Sequence, residues 1–143
     1  MTATLPPNST APAPKLQPTG WLRYFSFSVD HKVIGLQYLV CGFVFYLIGG
    51  ALAGAIRTEL ASPVADFMAR DVYNQVLTLH GTVMIFLWIV PVVNGAFGNY
   101  LIPFYVGARD MAFPRLNAVA FWLIPPAGLM LVASYFITGA AQS

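Results

Sequence analysis

The sequence predicts an all-α protein, a transmembrane helical bundle with three spans. Residues 33–56, 72–108 and 116–143 contain no Asp, Glu, Lys or Arg, and each stretch exceeds the about 20 apolar residues that a membrane-crossing helix needs. Charged residues make up only 8% of the chain, against about 25% in a typical globular protein. This composition excludes a soluble enzyme and a nucleic-acid binder, and the single cysteine, Cys41, excludes a disulfide scaffold.

The chain divides into a tail and a membrane portion. Residues 1–20 carry five prolines and one charged residue. We expect them to form a disordered, Pro-rich cytoplasmic tail, because they have little apolar surface to bury. Residues 21–143 form the membrane portion, with helices expected over about 31–58, 72–105 and 114–137.

Local signals mark the ends of these helices. Asp30 precedes the first helix and is a residue type that caps helix N-termini, while Pro114 suits the first turn of the third. The second helix would be about 50 Å long, so it must tilt, protrude or kink, with Pro91 and Gly95 as candidate kink points. The first helix carries small residues at spacings that let a neighbouring helix approach closely: Gly35, Gly42, Gly49, Gly50 and Gly54.

The basic residues predict the orientation of the helices in the membrane. Arg57 and Arg70 lie in the connection between the first two helices, and the other basic residues fall on the opposite side. Because basic residues are enriched on the cytoplasmic side, we expect the N-terminus there, together with Lys15, Arg23, Lys32, Arg109 and Arg115.

His80 is the most informative residue, because it lies well inside an uncharged helix. An ionisable side chain at that depth suggests a functional site, and neutral imidazole is a good ligand for haem iron. A rotation of about 100° per residue places three further residues on its face of the helix: Tyr73, Met84 and Asn94. The edge of a haem could pack against such a face. The alternative is a histidine that hydrogen-bonds a neighbouring helix within a packed interface.

Two residues near the outer end of the first helix are candidates for binding roles. Arg57 has a permanently charged fork of donors for a polar substituent of a buried cofactor, or it snorkels to water at the interface. Glu59 is a candidate ligand for a hard cation, although a single carboxylate is more often a solvated loop acid.

A second polar group, Asn99, Asp110 and Asn117, is expected at the cytoplasmic end. An acid at the mouth with amides further in would order a file of water for protons, because Asn both donates and accepts. The alternative is a loop acid paired with Arg109 or Arg115, with amides that tie the helices together.

Ordered blocks over about residues 28–138 resemble the start of the large catalytic subunit of haem-copper oxidases, cytochrome c oxidase subunit I. The blocks are Asp30-His31-Lys32-x-Ile34-Gly35, Ile56-Arg57-Thr58-Glu59-Leu60, Tyr73-Asn74, His80 with Met84-Ile85-Phe86, Gly98-Asn99-Tyr100-Leu101-x-Pro103, Gly107-Ala108-Arg109-Asp110-Met111-Ala112-Phe113-Pro114-Arg115-x-Asn117 and Phe121-Trp122-Leu123-x-Pro125-Pro126.

The resemblance implies roles for matching residues near the outer side. His80 stands where the family has one of two axial histidines of a low-spin haem A, in the same block as Met84. Arg57 stands where an arginine meets the formyl group of that haem, and Tyr73 where a tyrosine hydrogen-bonds a propionate. Glu59 matches a residue of an outer cation site, but Val64 replaces a common glycine in that loop.

The resemblance also implies a proton pathway at the cytoplasmic side. Asp110 matches the acid at the mouth of the D pathway, which marks the mitochondrial-like branch of the family. Asn99 and Asn117 match two of its asparagines, and Ala118 replaces a frequent third one.

For the complete enzyme the resemblance implies reduction of dioxygen to water with electrons from cytochrome c and proton pumping. This chain would be the N-terminal portion, three spans of twelve, in a bacterial cytoplasmic or other energy-transducing membrane. The second axial histidine and the ligands of the high-spin haem and copper B would lie in the remainder of subunit I. Subunits II and III are further expected partners. The alternatives are a quinol oxidase of the same family and a haem-free transporter or structural subunit.

Overall fold

The structure, a computed structural model, describes residues 20–61, 63 and 67–137 and contains helices but no strand within those ranges. The predicted tail falls on residues 1–20 and lies outside the described part except for Gly20. A short 3₁₀ helix, Trp21–Phe25, precedes three long helices. They are α1 (His31–Glu59), α2 (Arg70–Val106) and α3 (Pro114–Ser134), each long and apolar enough to cross a membrane. The predicted all-α membrane fold is confirmed.

The start of α1 is fixed by the predicted cap. The Asp30 side chain accepts a hydrogen bond of 2.9 Å from the backbone N–H of Lys32, which satisfies one of the donors that a helix N-terminus leaves without an internal partner. The helix then runs without a break to Glu59, one residue beyond the expected end.

Helix α2 is not a uniform α-helix. Its two ends, Arg70–Thr82 and Gly98–Val106, are α-helical, but Val83–Ile89 and Pro91–Phe97 have π-helical hydrogen bonds. Each π turn contains one more residue than an α turn, because the hydrogen bonds join residues five apart. The irregularity surrounds the predicted kink points, where Pro91 has no N–H to donate.

The connection from α2 to α3 contains one special backbone conformation. Gly107 has φ 71° and ψ 19°, which is the left-handed region, and glycine is the residue that ends helices this way at least cost. Pro114 occupies the first turn of α3, as predicted. The helix ends at Ser134 instead of 137, because the N–H groups of residues 135–137 bond to carbonyls three residues back and tighten the chain into turns.

Three glycines of α1, spaced seven residues apart, bring it close to α2. A Cβ on Gly35 would lie 3.2 Å from the Ala96 carbonyl oxygen, and one on Gly42 would lie 2.7 Å from Val92 Cγ2. Gly49 faces Met84 in the same way, whereas Gly50 and Gly54 face open space. The predicted role of the glycines is therefore correct for three of the five.

The core lies where the three helices meet. Tyr38 of α1 packs edge-on against Phe121 of α3 with ring centroids 5.1 Å apart, and Phe45 lies over Gly128, which has no side chain to obstruct it. Each of the three long helices keeps large apolar side chains exposed, with Phe104, Tyr105 and Met130 among the most exposed. Such surfaces require an apolar surrounding, which lipid or further helices supply.

Candidate functional site

His80 lies on α2 and points toward α1. Its Nδ1 is 2.9 Å from the backbone carbonyl oxygen of Gly49. A carbonyl oxygen only accepts, so Nδ1 carries the proton and donates it, and in the neutral imidazole the lone pair is on Nε2. This geometry is compatible with both interpretations of His80. One ring nitrogen forms the hydrogen bond between the helices, and the other keeps the lone pair that a metal ligand needs.

Met84 lies one turn further along α2 and packs on the same glycine. A Cβ on Gly49 would lie 2.6 Å from Met84 Sδ and 3.0 Å from Met84 Cγ. Gly49 thus accepts the histidine hydrogen bond with its carbonyl group and gives the methionine room through its missing side chain. Sequence reasoning identified the glycine as a packing residue and missed it as the partner of His80, because the partner atom belongs to the backbone.

The other residues expected around His80 are more spread out. Tyr73 is half-buried on α2, and Arg57 is exposed in the last turn of α1. Asn94 is exposed. The expected shared face of His80 and Asn94 assumed 100° per residue, and the π-helical turns between them do not follow that spacing.

Glu59 holds the connection between α1 and α2. Its Oε2 accepts a hydrogen bond of 2.9 Å from the Met68 backbone N–H. No group of three or more His, Cys, Asp or Glu side chains among the described residues is arranged to hold a metal ion, and Val64 lies outside those residues. An outer cation site at Glu59 stays a prediction.

Asp110 pairs with His31, which the sequence analysis did not foresee. Asp110 Oδ1 is 3.1 Å from His31 Nδ1 and also accepts from the Met111 N–H at 2.8 Å. The histidine is buried and the carboxyl group is partly exposed. The expected partners were Arg109 and Arg115. The sequence did hold a signal for this pair. The start of the first helix, with His31, and the turn after the second, with Asp110, were both expected at the same end of the bundle.

Asn99 and Asn117 form the predicted amide cluster. Asn99, only 3% exposed, donates through Nδ2 to the Gly95 carbonyl at 2.6 Å and accepts through Oδ1 from Asn117 Nδ2. The pair joins α2 to α3 near the turn that carries Asp110. The two amides thus connect helices, which is the role that the alternative interpretation of the sequence gave them.

The candidate site residues that make side-chain contacts between the helices fall into two separate polar groups. One is the His80–Gly49 pair, where α1 and α2 cross in the interior of the spans. The other comprises His31, Asp110, Asn99 and Asn117, at the end where α1 begins and α2 ends. Gln37 and Gln75 are also buried within the spans, and both donate to backbone carbonyls; the two groups differ from them in containing ionisable side chains.

Comparisons with known proteins identify the family of the chain. Residues 33–143 match the model of a family described as "Cytochrome C and Quinol oxidase polypeptide I". The chain is 64% identical over 120 residues to cytochrome c oxidase subunit 1 of Thermostichus vulcanus, covering 84% of the chain and 22% of that protein. It is 60% identical over 136 residues to the Synechocystis sp. protein of the same name, covering 95% of the chain and 24% of the relative.

A more distant relative is cytochrome c oxidase polypeptide 1 of Halobacterium salinarum, 44% identical over 127 residues, with 89% of the chain and 21% of the relative covered. The chain spans about a quarter of the length of the curated relatives it matches. With a family match over most of its length and three membrane-crossing helices, this is a multi-pass membrane protein of the cytochrome c and quinol oxidase polypeptide I family.

Proposed function

We propose that this chain supplies one axial ligand of a low-spin haem, His80, in a terminal respiratory oxidase. The observation that carries the proposal is the hydrogen bond from His80 Nδ1 to the Gly49 carbonyl oxygen. Ligating histidines in proteins typically donate their second ring N–H to such an acceptor, which fixes the tautomer and the ring orientation and raises the basicity of the ligating nitrogen. The residues present thus fit a haem.

Three further residues have side chains that suit such a cofactor. Tyr73 offers a hydroxyl for a propionate, Arg57 offers guanidinium donors for the formyl group of haem A, and Met84 contributes an apolar wall beside the imidazole. When bound, the haem supplies a one-electron redox centre. The protein sets its potential through imidazole basicity, burial and the positive charge of Arg57.

The second polar group suits proton entry. Asp110 is exposed enough to exchange protons with water, and its contact with His31 holds the carboxylate at the end of the bundle. Asn99 and Asn117 lie further inside and together offer donors and acceptors that order water. We assign Asp110 the uptake of protons from the cytoplasmic side and the two amides the ordering of the water that follows it, as in a D pathway.

In the complete oxidase the reaction is reduction of dioxygen to water with electrons from cytochrome c, coupled to proton pumping. The relatives reported above are named cytochrome c oxidases, which favours cytochrome c over quinol as the electron donor. The remainder of subunit I would hold the second axial ligand, the high-spin haem and copper B, and subunits II and III complete the complex. The N-terminus lies on the cytoplasmic side of a bacterial or other energy-transducing membrane.

The ligand role is tested by the reduced-minus-oxidised spectrum of the complex purified through this chain. His80→Gly should remove the low-spin haem signal, and added imidazole should restore part of it, because a free ligand can occupy the vacated space. His31→Ala, the matched control at the other histidine, should leave that signal intact. An unaltered low-spin haem spectrum in His80→Gly would refute the ligand role.

The same preparation distinguishes the alternatives. Oxygen uptake with reduced cytochrome c supports the proposed donor, and uptake with a quinol alone indicates a quinol oxidase. A complex without any haem would contradict the oxidase proposal and favour a transporter or a structural subunit.

A further inference from the structure

Asn94 of α2 has a polar side chain that belongs to neither of the two polar groups. It is exposed, and its amide group forms no hydrogen bond with another residue that the structure describes. Asn99, five residues further along the helix, is buried and uses both ends of its amide group. A primary amide has two N–H donors and an oxygen with two lone pairs, so the hydrogen-bonding capacity of Asn94 is unused within the described part of the chain.

The packing of α2 on α1 gives the depth of Asn94 in the membrane. Helix α1 has 29 residues and is about 43 Å long, which matches a bilayer with its headgroup layers. Gly95 lies under the ring of Tyr38, and Val92 lies against Gly42. Tyr38 and Gly42 are seven and eleven residues beyond the start of α1, about 10 and 16 Å along its axis. Because each headgroup layer is only about 5–7 Å thick, Asn94 lies at the depth of the hydrocarbon core.

Lipid alone is a poor surrounding for this side chain. An amide without a hydrogen-bond partner is costly in hydrocarbon, and polar side chains inside spans face other helices or a water-filled cavity. Asparagine is also too short to extend to the headgroup layer, as lysine and arginine do. We therefore expect Asn94 to face protein or water in the complete protein.

The surface of α2 within one turn of Asn94 suits a helix better than water. Val90 and Phe97 are exposed at 43% and 52%, and apolar side chains of this size are unfavourable in contact with water. A Cβ on Gly98 would meet only atoms of α2 itself, at 3.8 Å, so no other helix of the structure covers this glycine. Small residues let membrane helices approach closely, and asparagine side chains hydrogen-bond across such contacts. We call Val90, Asn94, Phe97 and Gly98 the Asn94 surface.

We propose that the Asn94 surface packs against a further transmembrane helix in the remainder of subunit I, and that Asn94 hydrogen-bonds an amide or hydroxyl side chain of that helix. An uncharged partner is favoured, because a charged side chain at that depth costs more. This chain spans about a quarter of the length of its relatives, and helices of one polypeptide meet at a high effective concentration. The proposal rests on the proposed place of this chain in a longer subunit, but not on the haem or the proton pathway.

The contact is tested by photocrosslinking in the oxidase purified through this chain and reconstituted into lipid nanodiscs. Phe97 is replaced with p-azidophenylalanine, which retains the ring, and Val90 provides a second position for the same probe. Mass spectrometry of the digested complex identifies the adducts, and we expect them in a hydrophobic segment of subunit I beyond residue 143. The probe at Phe121 is the matched control, because Phe121 is buried against Tyr38 and should give adducts within this chain.

The hydrogen bond is tested by the sign of a stability change. Asn94→Leu should unfold about threefold faster at a fixed temperature, the factor that corresponds to an average hydrogen bond between membrane helices. In contact with lipid the same change would slow unfolding, because leucine removes the cost of a polar group in hydrocarbon. Asn94→Gln retains an amide and should unfold more slowly than Asn94→Leu. Val93→Leu, at an exposed neighbouring position, is the control for the introduced leucine and should leave the rate unchanged.

The outcomes separate a helix from other surroundings. Adducts beyond residue 143 together with faster unfolding of Asn94→Leu support the proposal. Probes at Phe97 and Val90 that react only with lipid, water or a different polypeptide would overturn it. Unchanged or slower unfolding of Asn94→Leu would also overturn it, since no hydrogen bond would then have been lost. The reduced-minus-oxidised spectrum of the same wild-type sample tests the proposed function separately, because a complex without haem would leave the adducts and the unfolding rates as they are.

Discussion

Replacing Gly49 with alanine tests the contact between α1 and α2 on which the position of His80 depends. The new Cβ would lie 2.6 Å from Met84 Sδ, whereas ordinary contacts begin at 3.4 Å. The sulfur or the helix must therefore move by about 0.8 Å, the difference between those two distances. Overpacking of this kind costs about 1–3 kcal/mol. Because the Gly49 carbonyl accepts from His80 Nδ1, any helix shift also lengthens or bends that bond.

Gly50→Ala is the matched control, because a Cβ there meets nothing within 4 Å. Both changes alter helix propensity equally, so the difference in stability between the two variants isolates the packing term. We expect Gly49→Ala to be the less stable by about 1–3 kcal/mol in thermal denaturation of the purified complex. Its haem absorption band should also shift or broaden, while that of Gly50→Ala should not. Equal stability and identical spectra of the two variants would refute this account of the His80 contact.

Three further changes have definite expected outcomes. Asp30→Ala removes the cap on the Lys32 N–H and should lower the free energy of unfolding by about 1 kcal/mol; unchanged thermal denaturation would count against the cap. Gly107→Ala forces a side chain into the left-handed region and should lower the free energy of unfolding by about 1–2 kcal/mol in the same assay. Gly54→Ala is its reference, because a Cβ at Gly54 faces open space. Asp110→Asn should slow proton uptake by reconstituted vesicles with haem content unchanged, and wild-type uptake would contradict the entry role.

Much of the fold was predictable from the sequence, because charge-free stretches of this length are expected to form membrane-crossing helices. The start of α1 was predictable from Asp30, a short polar side chain directly before an apolar helix. The end of α3 was less so, since residues 135–137 are as apolar as those before them. Only the hydrogen bonds show that the chain there tightens into turns.

The sequence predicted which residues belong to the candidate site better than it predicted the partners that those residues contact. His80 was conspicuous as an ionisable residue in an uncharged helix, but its acceptor, the Gly49 carbonyl, carries no side-chain signal. The His31–Asp110 pair joins residues far apart in the chain, whereas the partners expected from the sequence, Arg109 or Arg115, are close to Asp110 in the chain. The position of Asn94 relative to His80 was not predictable, because a constant rotation per residue does not hold through the π-helical turns.

The π-helical turns of α2 set the angular phase between the two polar groups. His80 lies before them and faces α1, while Asn99 lies after them and faces Asn117 on α3. Deleting one residue between Val83 and Phe97 would rotate the part of α2 that follows relative to the part before it, and would shorten the helix. One of the two polar groups would then point out of the bundle. The length of this segment, more than its composition, therefore lets His80 and Asn99 face their partner helices at the same time.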